Sequence, residues 1–146
     1  MLVDDLKTLL GSTFVLYTKI HGFHFNVEGS DFPQYHEFLG SFYSEVYESI
    51  DTVGEHIRSL DSYTPGNLSR LLELSIVREQ HKIPRAALMF EELLSDSSDM
   101  VELVKTIFDV ATETREQGIA NYMADLQDLY SKKVWMLRSI LKTARA

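Results

Sequence analysis

An apolar repeat in the second quarter of the chain constrains the fold more than any other feature of the sequence. Apolar residues recur there in steps of three and four: Phe32, Tyr35, Leu39, Phe42, Val46, Ile50, Val53, Ile57 and Leu60. This period predicts an α-helix of roughly 30 residues that ends around Asp61–Tyr63. The preceding Asp31-Phe32-Pro33-Gln34 predicts its start, with an Asp N-cap, a proline in the first turn and a glutamine completing a variant of the capping box.

The same spacing recurs along the rest of the chain, which has only three prolines in 146 residues. We expect a first helix from about Asp4 to the His24 region, ending near Asn26–Gly29, and a short helix from Thr64-Pro65 through about Leu74. A third long helix should run from Pro84 to Glu113–Gln117, and a fourth from the break at Gly118 to about Leu141. Four long helices with one long connection predict an all-α fold. The expected architecture is a ferritin-like four-helix bundle with a short extra helix between the second and third long helices, formed as a single domain over residues 1–146.

Composition narrows the classes of function. The absence of cysteine excludes disulfides and thiolate metal sites, so any metal must be held by nitrogen and oxygen ligands. A net charge of −8 argues against nucleic-acid binding by the body of the fold. No run approaches the roughly 20 apolar residues of a membrane span, and the start lacks a signal peptide's basic segment. We therefore expect a cytoplasmic protein with no membrane partner.

Candidate metal ligands lie between His21 and Glu55. His24 closes the first predicted helix, His36 opens the second, and Asp51 and Glu55 stand one turn apart near the far end of the second helix. Imidazole and carboxylate are ligands that suit Fe(II), Zn and Mn. The chain contains no Glu-x-x-His, the motif of di-iron sites inside ferritin-type bundles, so we do not expect an intra-bundle centre.

Helix geometry separates these candidates into two pairs. His36 and Asp51 are 15 residues apart on one helix, which is about 22 Å at 1.5 Å per residue, so they cannot bind one ion within a single chain. Two copies of the second helix packed antiparallel across a two-fold axis would bring each histidine pair to the partner's carboxylates. The sequence therefore permits an intersubunit metal site or no joint site, since a lone histidine or an Asp/Glu pair on a helix is more often a surface feature.

The motif as a whole resembles a known family. His24-Phe25-Asn26-Val27-x-Gly29-x-x-Phe32-x-x-x-His36, followed by Asp51-x-x-x-Glu55, is similar to the signature of the Dps (DNA-protection-during-starvation) mini-ferritins, and Gly118-Ile119-Ala120-Asn121 and Trp135-Met136-Leu137-Arg138 are similar to that family's ending. The resemblance implies a homododecameric cage with ferroxidase centres at two-fold interfaces. His24 and His36 would come from one subunit and Asp51 and Glu55 from its mate. The implied reaction oxidises Fe(II), preferentially with hydrogen peroxide rather than O2, and stores Fe(III) mineral; Zn or Mn suit the same site.

Several positions depart from the family pattern. Phe25 replaces the usual tryptophan after the first histidine, so Tyr43 or Tyr47 is a candidate substitute if that indole intercepts oxidising equivalents. His56 replaces an arginine after the glutamate, which removes a possible salt bridge to the carboxylate.

Mineral handling and DNA binding are further expectations. Of three acids that many relatives use for nucleation, only Glu37 remains, because Gly40 and Ser41 occupy the other two positions. Glu116 is a candidate for an acidic pore. Family members that coat DNA often use a Lys-rich tail, and we expect almost none here, so DNA binding would need the C-terminal Lys142 and Arg145 to cluster in the cage. Two rival hypotheses remain: a non-catalytic Dps-like cage or DNA-protecting protein with impaired ferroxidase activity, and a structural bundle whose histidines bind nothing.

Overall fold

A computed structural model of the protein describes residues 1–142, and these contain five helices and no strand. The helices are α1 (Leu2–Asn26), α2 (Phe32–Ser59), α3 (Leu68–Leu74), α4 (Ala86–Glu113) and α5 (Gln117–Leu141). The prediction of an all-α fold, with a short helix between the second and third long helices, is confirmed. Arg145, invoked above for a basic cluster, lies outside the described residues.

The short helix begins three residues later than predicted. Asn67, rather than Thr64, is its N-cap, and the Asn67 side chain accepts a hydrogen bond of 2.9 Å from the Arg70 backbone N–H. The Thr64 hydroxyl instead donates to the Gly54 carbonyl oxygen of α2 at 2.7 Å. The prediction for Thr64 was wrong because its side chain holds the connecting loop against α2 and is not free to cap α3.

Other helix ends also differ from the predictions. The first helix starts at Leu2, α2 ends at Ser59, and α4 starts at Ala86 rather than at Pro84. Asp31 occupies the N-cap position of α2, but its side chain makes no capping hydrogen bond. The break between α4 and α5 is at Arg115, which has a positive φ of 63°, so Gly118 lies inside the first turn of α5. The Glu116 N–H donates to the Ala111 carbonyl oxygen there, a bond that satisfies the end of α4.

The long helices pair as two hairpins, α1 with α2 and α4 with α5, and α1 also contacts α4 and α3. The buried core is almost entirely apolar; its buried polar residues, within the part of the chain that the structure describes, are Ser12, Thr13, Ser49, Ser97 and Lys133. No Asp, Glu or His is buried there, so the bundle interior offers no carboxylate or imidazole ligand set. Phe32, which the apolar repeat placed on the buried face of the second helix, is exposed. None of the helices described is long and apolar enough to span a membrane.

A half-buried ion-pair network fastens the connection between α2 and α4 to the bundle. The Lys19 ammonium of α1 lies 2.8 Å from Asp96 and 3.1 Å from Glu92, both on α4, and donates to the Arg78 carbonyl oxygen of the connection. The Gln80 amide of the connection donates to Glu92 at 2.6 Å. Burial raises the pKa of Asp96, and the neighbouring Lys19 opposes that rise. The network ties two helices and the crossover at one point.

A second attachment places α3 against α1 at Gly11. A Cβ added at Gly11 would overlap the Leu71 carbonyl oxygen and lie 2.9 Å from the Leu74 Cβ. Beside it, the Ser12 hydroxyl accepts a hydrogen bond of 2.9 Å from the Ile76 N–H. The backbone of α3 therefore approaches α1 closely only because residue 11 has no side chain.

We expect Gly11→Ala to lower the free energy of unfolding by about 1–3 kcal/mol, because the added methyl group overpacks the contact with α3. Urea unfolding followed by circular dichroism measures the change. Gly22→Ala, on the same helix, is the matched control: nothing lies within 4 Å of an added Cβ, so that variant should be neutral or gain up to about 1 kcal/mol of helix stability. Equal behaviour of the two variants would contradict this account of the contact.

Candidate metal centre

Two histidines meet where α1 turns into α2. The rings of His24, in the last turn of α1, and His36, in the first turn of α2, stack with centroids 3.7 Å apart and planes 16° apart. The Nδ1 of each ring lies 2.8 Å from the backbone carbonyl oxygen of the other residue. Between them, Gly29 has φ +129°, a conformation that glycine adopts readily and that lets the chain reverse within five residues.

These reciprocal bonds determine the tautomer of both rings. A carbonyl oxygen only accepts hydrogen bonds, so both Nδ1 atoms carry the proton and donate. In a neutral imidazole with Nδ1 protonated, the lone pair is on Nε2. Both Nε2 atoms are therefore available as metal ligands, and the rings are already oriented by the kind of backbone hydrogen bond that supports metal-binding histidines.

Gly40 gives His24 the space for this position. A Cβ at Gly40 would lie 3.1 Å from the Cε1 of His24 and 3.3 Å from its Nδ1. In the sequence, Gly40 stands out only as the position of a missing acid, and its contact with the imidazole was not predicted. Its position one turn after His36 on the same face of α2 was the available signal.

Aromatic side chains extend from the histidine pair along the α1–α2 groove. His21 stacks on Tyr43 of α2, with centroids 3.9 Å apart and planes 10° apart, and on Phe25 at 4.5 Å. The Tyr17 hydroxyl lies 3.0 Å from Nδ1 of His21. Burial lowers the pKa of His21, and the nearby His24 lowers it further. Phe25, at the position of the family tryptophan, is 67% exposed.

The carboxylate pair lies near the other end of α2. Asp51 and Glu55 are exposed and border an open groove of about 460 Å³, whose other walls come from α1, α3 and the loop after α2. Within residues 1–142, neither carboxylate forms an ion pair with a basic side chain. Arg58, which borders the same groove, donates instead to the Ser62 carbonyl oxygen at 2.9 Å. Both acids thus keep their charge available for a cation.

His56 does not replace the arginine that usually follows the glutamate in the family. Its ring lies 5.6 Å from the ring of Tyr122 on α5 and so faces away from Glu55. The acid pair therefore lacks a supporting ion pair from this position.

The two half-sites do not meet within one chain. α2 is continuous from Phe32 to Ser59, so the helix rise separates His36 from Asp51 by about 22 Å. In the described part of the chain, no three His, Asp or Glu side chains converge on one point. Glu37 is exposed beside His36, and the half-buried Glu116 is the N-cap of α5. The four-residue ligand set predicted from the sequence is therefore not assembled within one chain.

Comparison with known proteins identifies the fold. The ferritin-like domain family model matches residues 3–146. The DNA protection during starvation protein of Brevibacillus brevis is 33% identical over 137 residues, which cover 94% of this chain and 92% of the relative. The crystal structure of a Dps protein from Bacillus brevis has a TM-score of 0.93 at 30% identity, covering 97% of this chain and 95% of that chain.

A third relative, a Dps protein from Vibrio cholerae O1, is described as a member of a broad superfamily of ferritin-like diiron-carboxylate proteins. It has a TM-score of 0.92 at 26% identity, over 97% of this chain and 89% of that chain. These matches place the fold in the ferritin-like class. The chain belongs to the Dps branch of that class, which confirms the family predicted from the histidine motif.

We expect Gly40→Ala to weaken metal binding without weakening the fold. The added methyl group presses on His24, whose ring is held by His36 and cannot easily shift, while alanine favours the helix by up to about 1 kcal/mol. Zn²⁺ affinity of the assembled protein, measured by calorimetry, should fall roughly 10–100-fold, as for other groups that orient a metal ligand.

Gly118→Ala is the control, because nothing lies within 4 Å of a Cβ added in that first turn of α5. Its Zn²⁺ affinity should equal that of the wild type. Wild-type affinity in Gly40→Ala would show that the position of His24 does not control binding.

Proposed function

We propose that the protein is the subunit of a Dps-type ferroxidase cage that oxidises Fe(II) and stores the Fe(III) product. The observation that carries this proposal is the pair of reciprocal Nδ1–carbonyl bonds, because they leave Nε2 of His24 and Nε2 of His36 free together. Fe(II) is the substrate and binds between this histidine pair and Asp51 and Glu55 of the two-fold mate.

A two-fold axis completes the site without any new element. Two α2 helices packed antiparallel bring the start of each to the end of the other, so each dimer has two equivalent centres. The open groove beside Asp51 and Glu55 is on the surface that faces the mate in this arrangement. The exposed, stacked Phe25 accompanies the histidines into that interface. Twelve subunits in a closed cage, as in the family that the motif resembles, would enclose the stored mineral.

The ligand set suits the chemistry. Two negative carboxylates and two neutral imidazoles stabilise the higher charge of Fe(III) relative to Fe(II), so electron loss is favoured at the site. Two Fe(II) ions supply the two electrons that reduce hydrogen peroxide, and two protons complete two water molecules; O2 is the alternative oxidant. Both reactants of hydroxyl-radical formation are consumed. Zn or Mn would compete for the same ligands.

Mineral formation uses acids away from the ferroxidase ligands. Glu37 is exposed one residue from His36, so it is the candidate to receive Fe(III) leaving the centre. Glu116 remains the candidate for an acidic pore through which Fe(II) enters. The net charge of −8 favours cation uptake and disfavours DNA, so we do not include DNA binding in the proposed function.

Subunit mixing tests whether the site is shared. One variant carries His24→Ala and His36→Ala, and the other carries Asp51→Ala and Glu55→Ala. Each alone should lose the fast Fe(II) oxidation seen by stopped-flow absorbance with hydrogen peroxide. Co-assembly in equal amounts should restore about a quarter of the wild-type centres, because half of the dimers are mixed and each mixed dimer has one intact site.

Three outcomes would contradict the proposal in distinct ways. If either variant alone oxidises Fe(II) at the wild-type rate, the residues changed in it are not ligands of the ferroxidase centre. If the inactive variants recover no activity on co-assembly, although mass spectrometry shows mixed dimers, the centre is not shared across a two-fold axis. A wild-type cage that oxidises Fe(II) no faster than the variants would favour the alternative of a non-catalytic or DNA-protecting cage. Phe25 and His56, which depart from the family pattern, are the reason for considering that alternative.

A further inference from the structure

Tyr17 and His21 form a hydrogen-bonded pair that the metal site does not use. They are one turn apart on α1, and the Tyr17 hydroxyl lies 3.0 Å from Nδ1 of His21. Their rings connect to the candidate centre: Tyr17 is 6.0 Å from Tyr43, and Tyr43 is 5.2 Å from His24. The pair therefore lies one aromatic ring away from a candidate metal ligand.

The acidities of the two groups set the direction of this hydrogen bond. A phenol O–H is more acidic than an imidazole N–H, and an imidazole nitrogen accepts more strongly than a phenol oxygen. Tyr17 therefore donates and His21 accepts. Oxidation of a phenol is far easier when its proton can move at once to a neighbouring base, because no cationic radical forms. His21 supplies that base.

Tyr43 and Tyr47, both on α2, lack such a partner. In residues 1–142, neither hydroxyl makes a hydrogen bond to another protein group. The Tyr47 ring is 4.9 Å from that of Tyr17, and the His21 ring stacks on Tyr43 at 3.9 Å. Their geometry suits them to pass an electron, whereas Tyr17 alone of the three has, within the described residues, a side-chain base hydrogen-bonded to its hydroxyl.

We propose that Tyr17 is a redox-active residue that donates one electron, through Tyr43, to the iron centre, while its phenolic proton moves to Nδ1 of His21. The donation matters when a centre holds one Fe(II) and meets peroxide, because peroxide needs two electrons and a single Fe(II) gives one. This inference rests on the proposed function. It assigns the interception of oxidising equivalents to Tyr17 rather than to Tyr43 or Tyr47 alone.

The step balances. Fe(II), one H2O2, the Tyr17 phenol and one proton from solvent give Fe(III), two H2O and the neutral Tyr17 phenoxyl radical. The O–O bond breaks, and peroxide is reduced by one electron from Fe(II) and one from Tyr17. The phenolic proton passes to His21 and from there to the water formed. A second Fe(II) arriving later reduces the radical, and Tyr17 takes up a new proton from solvent through His21.

Freeze-quench electron paramagnetic resonance tests the proposal. Anaerobic assembled protein loaded with one Fe(II) per centre is mixed with one equivalent of hydrogen peroxide and frozen within milliseconds. The wild type should show a tyrosyl radical, identified by the change in its splitting on ring-deuterated tyrosine. Tyr17→Phe should lose this signal and should release more hydroxyl radical to a spin trap.

Matched variants distinguish Tyr17 from its neighbours. Tyr47→Phe removes a hydroxyl from the same cluster and should keep the signal. His21→Phe preserves an aromatic ring against Tyr43 but removes the proton acceptor, so the Tyr17 signal should be lost or, at high field, its g1 value should shift. A radical that survives in Tyr17→Phe, or that is identical in His21→Phe and the wild type, overturns the proposal.

The test separates this inference from the proposed function. Stopped-flow absorbance on the same samples reports whether Fe(II) is oxidised at the centre. If oxidation proceeds at the wild-type rate in Tyr17→Phe with two Fe(II) per centre, and no Tyr17-dependent radical forms with one, only the inference fails. If the wild type oxidises Fe(II) no faster than a His36→Ala/Asp51→Ala variant, the proposed function fails first.

Discussion

The histidine pair depends on two hydrogen bonds that cross the α1–α2 turn. Each imidazole donates Nδ1–H to the carbonyl oxygen of the residue that carries the other ring, so two hydrogen bonds join the same two residues. They close the end of α1 and the beginning of α2 onto each other, and they place two free Nε2 atoms side by side. The neighbouring features follow from this closure: the space at Gly40, the stacking of His21 on Tyr43, and the line of rings that leads to Tyr17.

The carboxylate end of α2 is organised by a different kind of contact. The loop after α2 is held to the helix by the Thr64 hydroxyl, and α3 lies on α1 because Gly11 has no side chain. Together they form the walls of the groove beside Asp51 and Glu55 without placing a basic group on either acid. The histidine half-site is therefore held by hydrogen bonds within the chain, whereas the carboxylate half-site is open and negatively charged. This difference suits groups that are to bind a shared cation.

The sequence predicted the helices, which depend on the local apolar period. It did not predict the contacts that depend on how the helices pack against one another. The apolar repeat indicated the five helices, and the motif from His24 to His36 indicated the family. The Asn67 cap and the left-handed Arg115 were missed because Thr64 and Gly118 are stronger local signals, and tertiary contacts decided against them. Tyr17 and His21 are spaced one turn apart, which was a visible signal, but only the packing of α1 on α2 shows that Tyr43 joins them.

The continuity of α2 has a consequence for how this protein can vary. Because the two half-sites lie on one unbroken helix, the number of residues between them determines their distance and their relative angle about the helix axis. Inserting one residue between His36 and Asp51 would turn one half-site by about 100° and move it about 1.5 Å relative to the other. Because the two-fold axis repeats the error, both shared centres would be lost at once. A substitution in this segment acts at one position, whereas a change in its length displaces one whole half-site relative to the other.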